Sequence, residues 1–410
     1  LSTSALPRRG VLTLVALLLV ALNLRPALTS VSPVLASLAE ALSLSPTAQG
    51  VLTTLPVLFL GLAAPLAPRL VRRFGPERAV FAAIALLAVT LAVRPYLIIP
   101  GLDLPGIANL GLFVTTAIAG GCIGVTGVLL PGIVKRDFPH RVSVMTGLYT
   151  VALNLGASAA AGTTEPLRQV FAGVVDTPWQ PALAFWLLPA VIAALFWLPQ
   201  LKGTAAVRVA ARHGARLRDD PLAWQVSLFM GLQSALAYSV FGWLPTILRD
   251  RGLDAVTAGL ALSVSILLQV STAILAPWIG SRMRDQRTVI VVVVSMTLTG
   301  LLGCLFAPIS TVWVWAVVLG LGQGGTFSMA LTLLALRAPD AVTAANLSAM
   351  AQGIGYTLAA LGPLLVGLLH DWSDDWNAVG VLLAAIALCA IGAGLGAGRD
   401  RQVASSLGDA

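Results

Sequence analysis

Residues 11–38 read VLTLVALLLVALNLRPALTSVSPVLASL. The stretch is long enough to cross a bilayer, which takes about 20 apolar residues at roughly 1.5 Å each. It nevertheless carries Asn23, Arg25 and Pro26 near its centre. Holding a guanidinium in hydrocarbon costs from about 3 to more than 10 kcal/mol, so Arg25 is expected to face a protein interior, a water-filled cavity or a bound anion. No small-residue cleavage pattern follows a short apolar core, and the segment reads as a retained first helix behind a short polar head, residues 1–10.

Working outward, 58% of the 410 residues are hydrophobic and 10% are charged, with mean hydropathy +0.91. Soluble chains carry about 25% charged residues. A chain this apolar has to present much of its surface to lipid, and the 39 glycines and 24 prolines suit membrane helices. Cys122, Cys304 and Cys389 lie in apolar runs and read as small buried side chains rather than a disulfide or metal framework. His140, His213 and His370 are far apart, and no glycine cluster continues into Lys-Ser or Lys-Thr, so neither a metal site nor an ATP-driven motor is expected. The chain reads as no enzyme and needs no cofactor.

Twelve apolar segments are expected, near 11–38, 48–69, 78–99, 107–134, 141–164, 179–199, 222–247, 256–280, 287–307, 312–336, 343–369 and 377–398. The formal charge of +8 is spread through the connections, not gathered as a nucleic-acid patch. Arg8, Arg9, Arg69, Arg72, Arg73, Arg78, Lys135, Arg136, Arg141, Lys202, Arg208, Arg212, Arg216, Arg218, Arg282, Arg284, Arg287, Arg337, Arg399 and Arg401 all fall on the face that carries both chain ends. The excess of positive charge in cytoplasmic loops places that face, and both termini, in the cytoplasm. The expected location is the bacterial inner membrane.

The long charged connection near 201–221 divides the chain into six-helix units at 1–200 and 222–410. The halves echo each other in Leu66-Ala67-Pro68 and Leu275-Ala276-Pro277, and in Gly124 with Pro139 against Gly324 with Pro339, 200 positions on. Parallel repeats about the membrane normal, with a site between them, characterise one large class of secondary transporters. Glycines at 120, 121, 124 and 127, and at 320, 322, 324 and 325, either pack helices closely or let them slide.

The loop Pro68-Arg69-Leu70-Val71-Arg72-Arg73-Phe74-Gly75-Pro76-Glu77-Arg78 resembles the connection between the second and third helices of the major facilitator superfamily. Its departure is Val71, where the family pattern has an aspartate. Gly280-Ser281-Arg282-Met283-Arg284-Asp285 is similar to the second copy. Asn23-Leu24-Arg25-Pro26-Ala27-Leu28-Thr29-Ser30-Val31-Ser32-Pro33 resembles the first-helix signature of the cyanate and 2-nitroimidazole transporters. The resemblance implies an all-α fold of twelve transmembrane helices in two six-helix bundles. It also implies small anionic or small polar organic substrates.

On a continuous helix Arg25, Thr29 and Ser32 share one face, forming a cationic strip that bears hydroxyls. Arginine suits a planar or multi-oxygen anion through its fixed fork of donors. The alternative is satisfaction by carbonyls and by Asn23 or Asn154. Glu40, Glu77, Asp103, Asp137, Glu165 and Asp176 map to connections or span ends, leaving no mid-membrane carboxylate for Arg25. Thr150 with Asn154, Gln233 near Tyr238, Gln323, Asn346, and Gln352 with Tyr356 are further candidates for substrate binding or for helix–helix hydrogen bonds. Phe241 and Trp243 suggest an aromatic lid or interfacial anchor. Arg94 suggests a second cationic site, a cavity cap or a cation snorkelling to headgroups. The sequence thus predicts alternating-access transport of a small anion by a chain functional as a monomer. An exporter of neutral or cationic drugs and a non-transporting membrane sensor or scaffold remain open alternatives.

Overall fold

The computed structural model describes residues 8–97, 110–139, 141–203, 217–373 and 375–404. His140, His213, Asp103 and most of the 201–221 connection lie outside the described residues. Twelve spans follow one another: α1 Gly10–Leu42, α2 Pro46–Phe74, α3 Pro76–Val93, α4 Leu110–Asp137, α5 Val144–Phe171, α6 Trp179–Leu201, α7 Pro221–Asp250, α8 Ala255–Gly280, α9 Arg287–Phe306, α10 Ile309–Leu336, α11 Thr343–Ser373 and α12 Asn377–Ala397. Because the spans alternate in direction, the chain ends share one face with the arginine-rich connections. We call it the basic face.

Local chemistry sets the ends. Pro46, Pro76 and Pro221 occupy first helical positions, where a missing N–H costs nothing. Ser45, Asp220 and Asp254 cap α2, α7 and α8 by accepting from Ala48 N (3.2 Å), Leu222 N (2.8 Å) and Thr257 N (2.9 Å). The bonds from Thr257 hold the Asp254 carboxyl below its ordinary pKa. Its stabilisation is therefore present above the unfolded pKa of about 3.9 and is lost as pH falls. Asp254→Ala is expected to cost about 1 kcal/mol at neutral pH. Thermal unfolding in detergent checks this, and the difference between parent and variant should shrink in acid.

α1 is broken into helical pieces, Arg8–Asn23, Pro26–Thr29 and Val31–Leu42. Pro26 has no N–H, so the carbonyl of Leu22 lacks its donor four residues on. Gly156 of α5 covers that carbonyl so closely that an added Cβ would lie 1.9 Å from Leu22 O. Two sequence expectations change at span ends. α3 stops at Val93, ahead of Pro95, rather than near residue 99. α5 continues to Phe171, which puts Glu165 inside a span, fully buried and 2.7 Å from Arg168. It neutralises Arg168, about 9 Å from the helix end.

The two groups of six spans pack alike. Gly120 and Gly124 of α4 lie against the backbone of Pro56 and Leu60 in α2, and Gly320 and Gly324 of α10 lie against Ser265 and Gln269 in α8. The glycines repeat after 200 positions and their partners after 209. Gly156 on Leu22 has its counterpart in Gly355 on Gly231. On the basic face Glu77 pairs with Arg136, while the matching Arg337 donates to Gln286 and, at 2.8 Å, to the carbonyl of Ala397. Leu62, Val89, Leu195, Val292 and Leu388 stand exposed along the outside, as lipid-facing side chains do.

Contacts between the two groups concentrate in the half of the molecule away from the basic face. Gly50 of α2 meets Gly367 of α11, Gly242 of α7 meets Thr53 of α2, and Thr47 donates to Asp371. Ser158 of α5 and Ser263 of α8 each donate to the other's carbonyl, at 3.0 and 2.8 Å. Gly61 against Tyr356 and Thr357 is a mid-depth contact. Small side chains are what allow these backbones to close. Toward the basic face, Gly127, Gly147 and Gly353 have nothing within 4 Å of an added Cβ.

Candidate substrate site

Arg25 occupies the first break of α1, with φ −109° and ψ −23°. A proline at the next position disfavours continued helix, and this turns the side chain out of the α1 register. Its Nη1 donates to Asn154 Oδ1 at 2.6 Å. The rings of Phe241 on α7 and Phe327 on α10 each stand 5.7 Å from the guanidinium carbon. Tyr149, Tyr238 and Tyr356 lie close enough for the Arg25 charge to act on their phenols, so three of the chain's four tyrosines converge here. Tyr238 sets its ring edge-on to Phe241 (6.0 Å) and Tyr356 (6.2 Å). Arg25, Phe327 and the three tyrosines are only half-buried although well inside their spans, so they wall an internal open space.

None of the ion pairs among the described residues involves Arg25. Its neighbours are one amide oxygen from its own group of spans and aromatic faces from the other. Cation–π contact is worth about 0.5–2 kcal/mol and orients the guanidinium without satisfying its donors. An anion arriving in this space meets an uncompensated charge with unused N–H groups.

The other expected residues distribute as follows. Thr29 is fully buried, donating to the carbonyls of Ala157 (3.0 Å) and Arg25 (3.2 Å), and Ser32 is also buried. The strip with Arg25 therefore closes against α5 instead of opening onto the central space, because α1 is broken at 25 and at 30. Asn23 donates to Leu19 O (2.8 Å) and Pro189 O (3.0 Å) and ties α1 to α6. Its amide nitrogen is thereby spent on α1 and α6 rather than on Arg25.

Thr150 and Gln352 lie one turn from Asn154 and Tyr356 toward the basic face, bonded to Thr146 O (2.9 Å) and Ser348 Oγ (2.7 Å). Gln323, one turn from Phe327, accepts from Gln269 at 3.1 Å, and Gln233 is buried against Ser234 and Met230. Asn346 stands apart, in a hollow near the basic face with Leu217, Arg218 and Met350.

Arg94 does not snorkel to headgroups: it is fully buried and donates to Ala27 O (3.0 Å) and Ser30 Oγ (3.4 Å), bracing the α1 break. Trp243 is buried and donates to Pro363 O at 3.0 Å, so of the aromatic pair only Phe241 reaches Arg25. Arg72, Arg73, Arg282 and Arg284 are exposed on the basic face. Gly75 there takes the left-handed φ of 82°, Arg282 stacks 3.6 Å over Trp278, and Asp285 lies 3.9 Å from Arg287.

Phe327 and Tyr149 escaped the sequence reading. Phe327 is four residues past Gln323, on the same helix face, and Tyr149 adjoins Thr150. The scarcity of tyrosine was the usable signal.

Comparison with known proteins gives the family and the fold. The family described as Major Facilitator Superfamily matches residues 14–360. The 2-nitroimidazole transporter of Escherichia coli (strain K12) is 37% identical, over 98% of this chain and 99% of that protein. The cyanate transport protein CynX of the same organism is 32% identical, over 92% of this chain and 94% of that protein. A solved D-xylose-proton symporter superposes with a TM-score of 0.71 at 14% identity, covering 98% of each chain. Twelve spans, a repeated helix packing and these relatives together make this chain a transporter, not an enzyme, and a member of the major facilitator superfamily in the family of the 2-nitroimidazole and cyanate transporters.

Proposed function

We propose that this protein moves a small anion, or a small polar solute with anion-like oxygens, by alternating access, with Arg25 as the central binding group. The observation that carries the reading is a half-buried guanidinium at the break of α1, held by one amide and facing aromatic rings, with no carboxylate paired to it. Desolvation makes a charge in such a place costly, and a bound anion offsets that cost. Aromatic faces on either side favour a flat solute. Relatives named for 2-nitroimidazole and cyanate support the same chemistry.

Residues 1–200 and 222–410 act as the two rocking units and 201–221 as their cytoplasmic linker, in a chain that works as a monomer. With the basic face in the cytoplasm, the small-residue contacts form the outer seal and the conformation is open inward. Asn154, Phe241, Phe327, Tyr149, Tyr238 and Tyr356 surround the solute, and Thr150 and Gln352 line its approach.

The test is flux into proteoliposomes holding the purified protein, with labelled cyanate, 2-nitroimidazole, an aromatic carboxylate and an organic cation. Membrane potential and pH gradient are set independently. Saturable entry of at least one anion or nitroimidazole is expected. Entry of the cation alone, or of none of them, overturns the reading.

A further inference from the structure

Away from Arg25, at the end of α11 opposite the basic face, the fold builds a second titratable cluster. His370 stacks on Trp376, with ring centroids 4.0 Å apart and planes at 12°, and meets Trp243 edge-on at 6.4 Å. Its Nε2 lies 4.0 Å from Asp250 Oδ2, the oxygen that accepts from Trp376 Nε1 at 3.2 Å. His370 Nδ1 is buried without a partner. The same turn of α11 carries the contact with the first group of spans. Gly367 lies against Gly50 and Pro46 of α2 and against the Trp243 ring, and Asp371 accepts from Thr47.

We infer that His370 is a proton-binding latch: its protonation from the outer face holds the last turn of α11 on Asp250 and Trp376, and so keeps the seal with α2 shut. A second N–H turns the ring into a cation stacked on indole and beside a carboxylate, both of which attract it. The neutral ring loses both attractions, and the last turn of α11 keeps its packing on Trp243 and its contacts with α2. Among the described residues next to this turn, charge is carried by Arg249 and Asp250 at the end of α7, by Arg251 and Asp254 just past it, by Asp371 on α11 itself and by Asp375 before α12. α2 contributes none in its first turns, from Pro46 to Val51. Arg251 is turned away, donating to the carbonyls of Cys304 and Ala307. Arg249 carries the opposing charge, with its Nη1 buried and unpartnered. Outer acidity would then bias the transporter toward its inward-open form.

The experiment needs no substrate, so its failure leaves the Arg25 reading untouched. Thr53→Cys reports the seal, since Thr53 is buried against Gly242, and exposed Ala41→Cys is the reference. Cys389→Ser removes the one exposed native thiol; Cys122 and Cys304 are buried. Full-length protein in membranes is labelled from the outer face with an impermeant thiosulfonate at about pH 7.5 and about pH 5.5, either side of the ordinary histidine pKa. The ratio of Thr53→Cys to Ala41→Cys labelling should fall about three- to tenfold in acid and stay level in His370→Gln. A level ratio in the parent, or the same fall in His370→Gln, overturns the inference. Should His370→Gln fail to reach the membrane, Asp250→Asn takes its place: a reduced fall supports the latch, and an unchanged fall overturns it.

Discussion

Arg25→Ala is expected to lower uptake of the transported anion about a hundredfold or more, because at least two charge-assisted hydrogen bonds, worth roughly 1.5–3 kcal/mol each, vanish with the guanidinium. The fold should survive. Arg25 is half-buried, and among the described residues its side chain bonds to Asn154 alone. Water can therefore replace it, and the variant should elute from a sizing column as the parent does. Arg25→Lys keeps the charge but not the planar fork, and an intermediate loss is expected. The sharpest form of the experiment leaves Arg25 in place. Asn154→Asp puts a carboxylate at the 2.6 Å contact and supplies internally the charge that substrate otherwise brings. Anion binding, read as Kd by titration of purified protein, should weaken as much as in Arg25→Ala. Full transport in either variant would remove Arg25 from the mechanism.

The second large effect concerns the backbone beneath that site. Gly156→Val places a branched side chain where even a Cβ would be 1.9 Å from Leu22 O. The obstacle is main-chain carbonyl, not a flexible side chain, so α1 and α5 have to part. Overpacking of this kind costs typically 1–3 kcal/mol and here should reach or exceed the upper end. A lower midpoint of thermal unfolding in detergent would show it. Because Arg25 is three residues past Leu22 and Asn154 two before Gly156, parting these helices also stretches the Arg25–Asn154 bond. Binding should therefore weaken in whatever fraction of Gly156→Val remains folded. Gly127→Val, with nothing within 4 Å of its Cβ, is the matched control and should unfold close to the parent temperature.

Span number and approximate ends were legible because lipid imposes its demands locally, through length and apolarity read residue by residue. The errors fall where a neighbour matters. Glu165 reads as a loop carboxylate until α5 proves long enough to carry it inward with Arg168 as partner. Asn23 and Thr29 read as site residues beside Arg25, yet one is held by α6 and the other by α5. Arg94 reads as a second cationic site, a cavity cap or a cation snorkelling to headgroups, whereas the carbonyl of Ala27, 67 positions away in the chain, receives it. Asn154 was one of two amides, with Asn23, that the sequence offered as alternative partners for Arg25, and the structure shows it in contact.

From its sequence alone this protein is a twelve-span membrane chain with repeated halves, a basic face and an arginine that lipid cannot accept. Each of those properties is carried by composition along one stretch of chain. The tertiary structure alone decided what that arginine touches. Its partner Asn154 stands 129 positions away, and Phe241 and Phe327 come from the other group of spans. Such contacts depend on how each helix is rotated about its own axis in the bundle. That rotation is set by packing, here by glycines such as Gly156, Gly120 and Gly320 that let particular backbones meet.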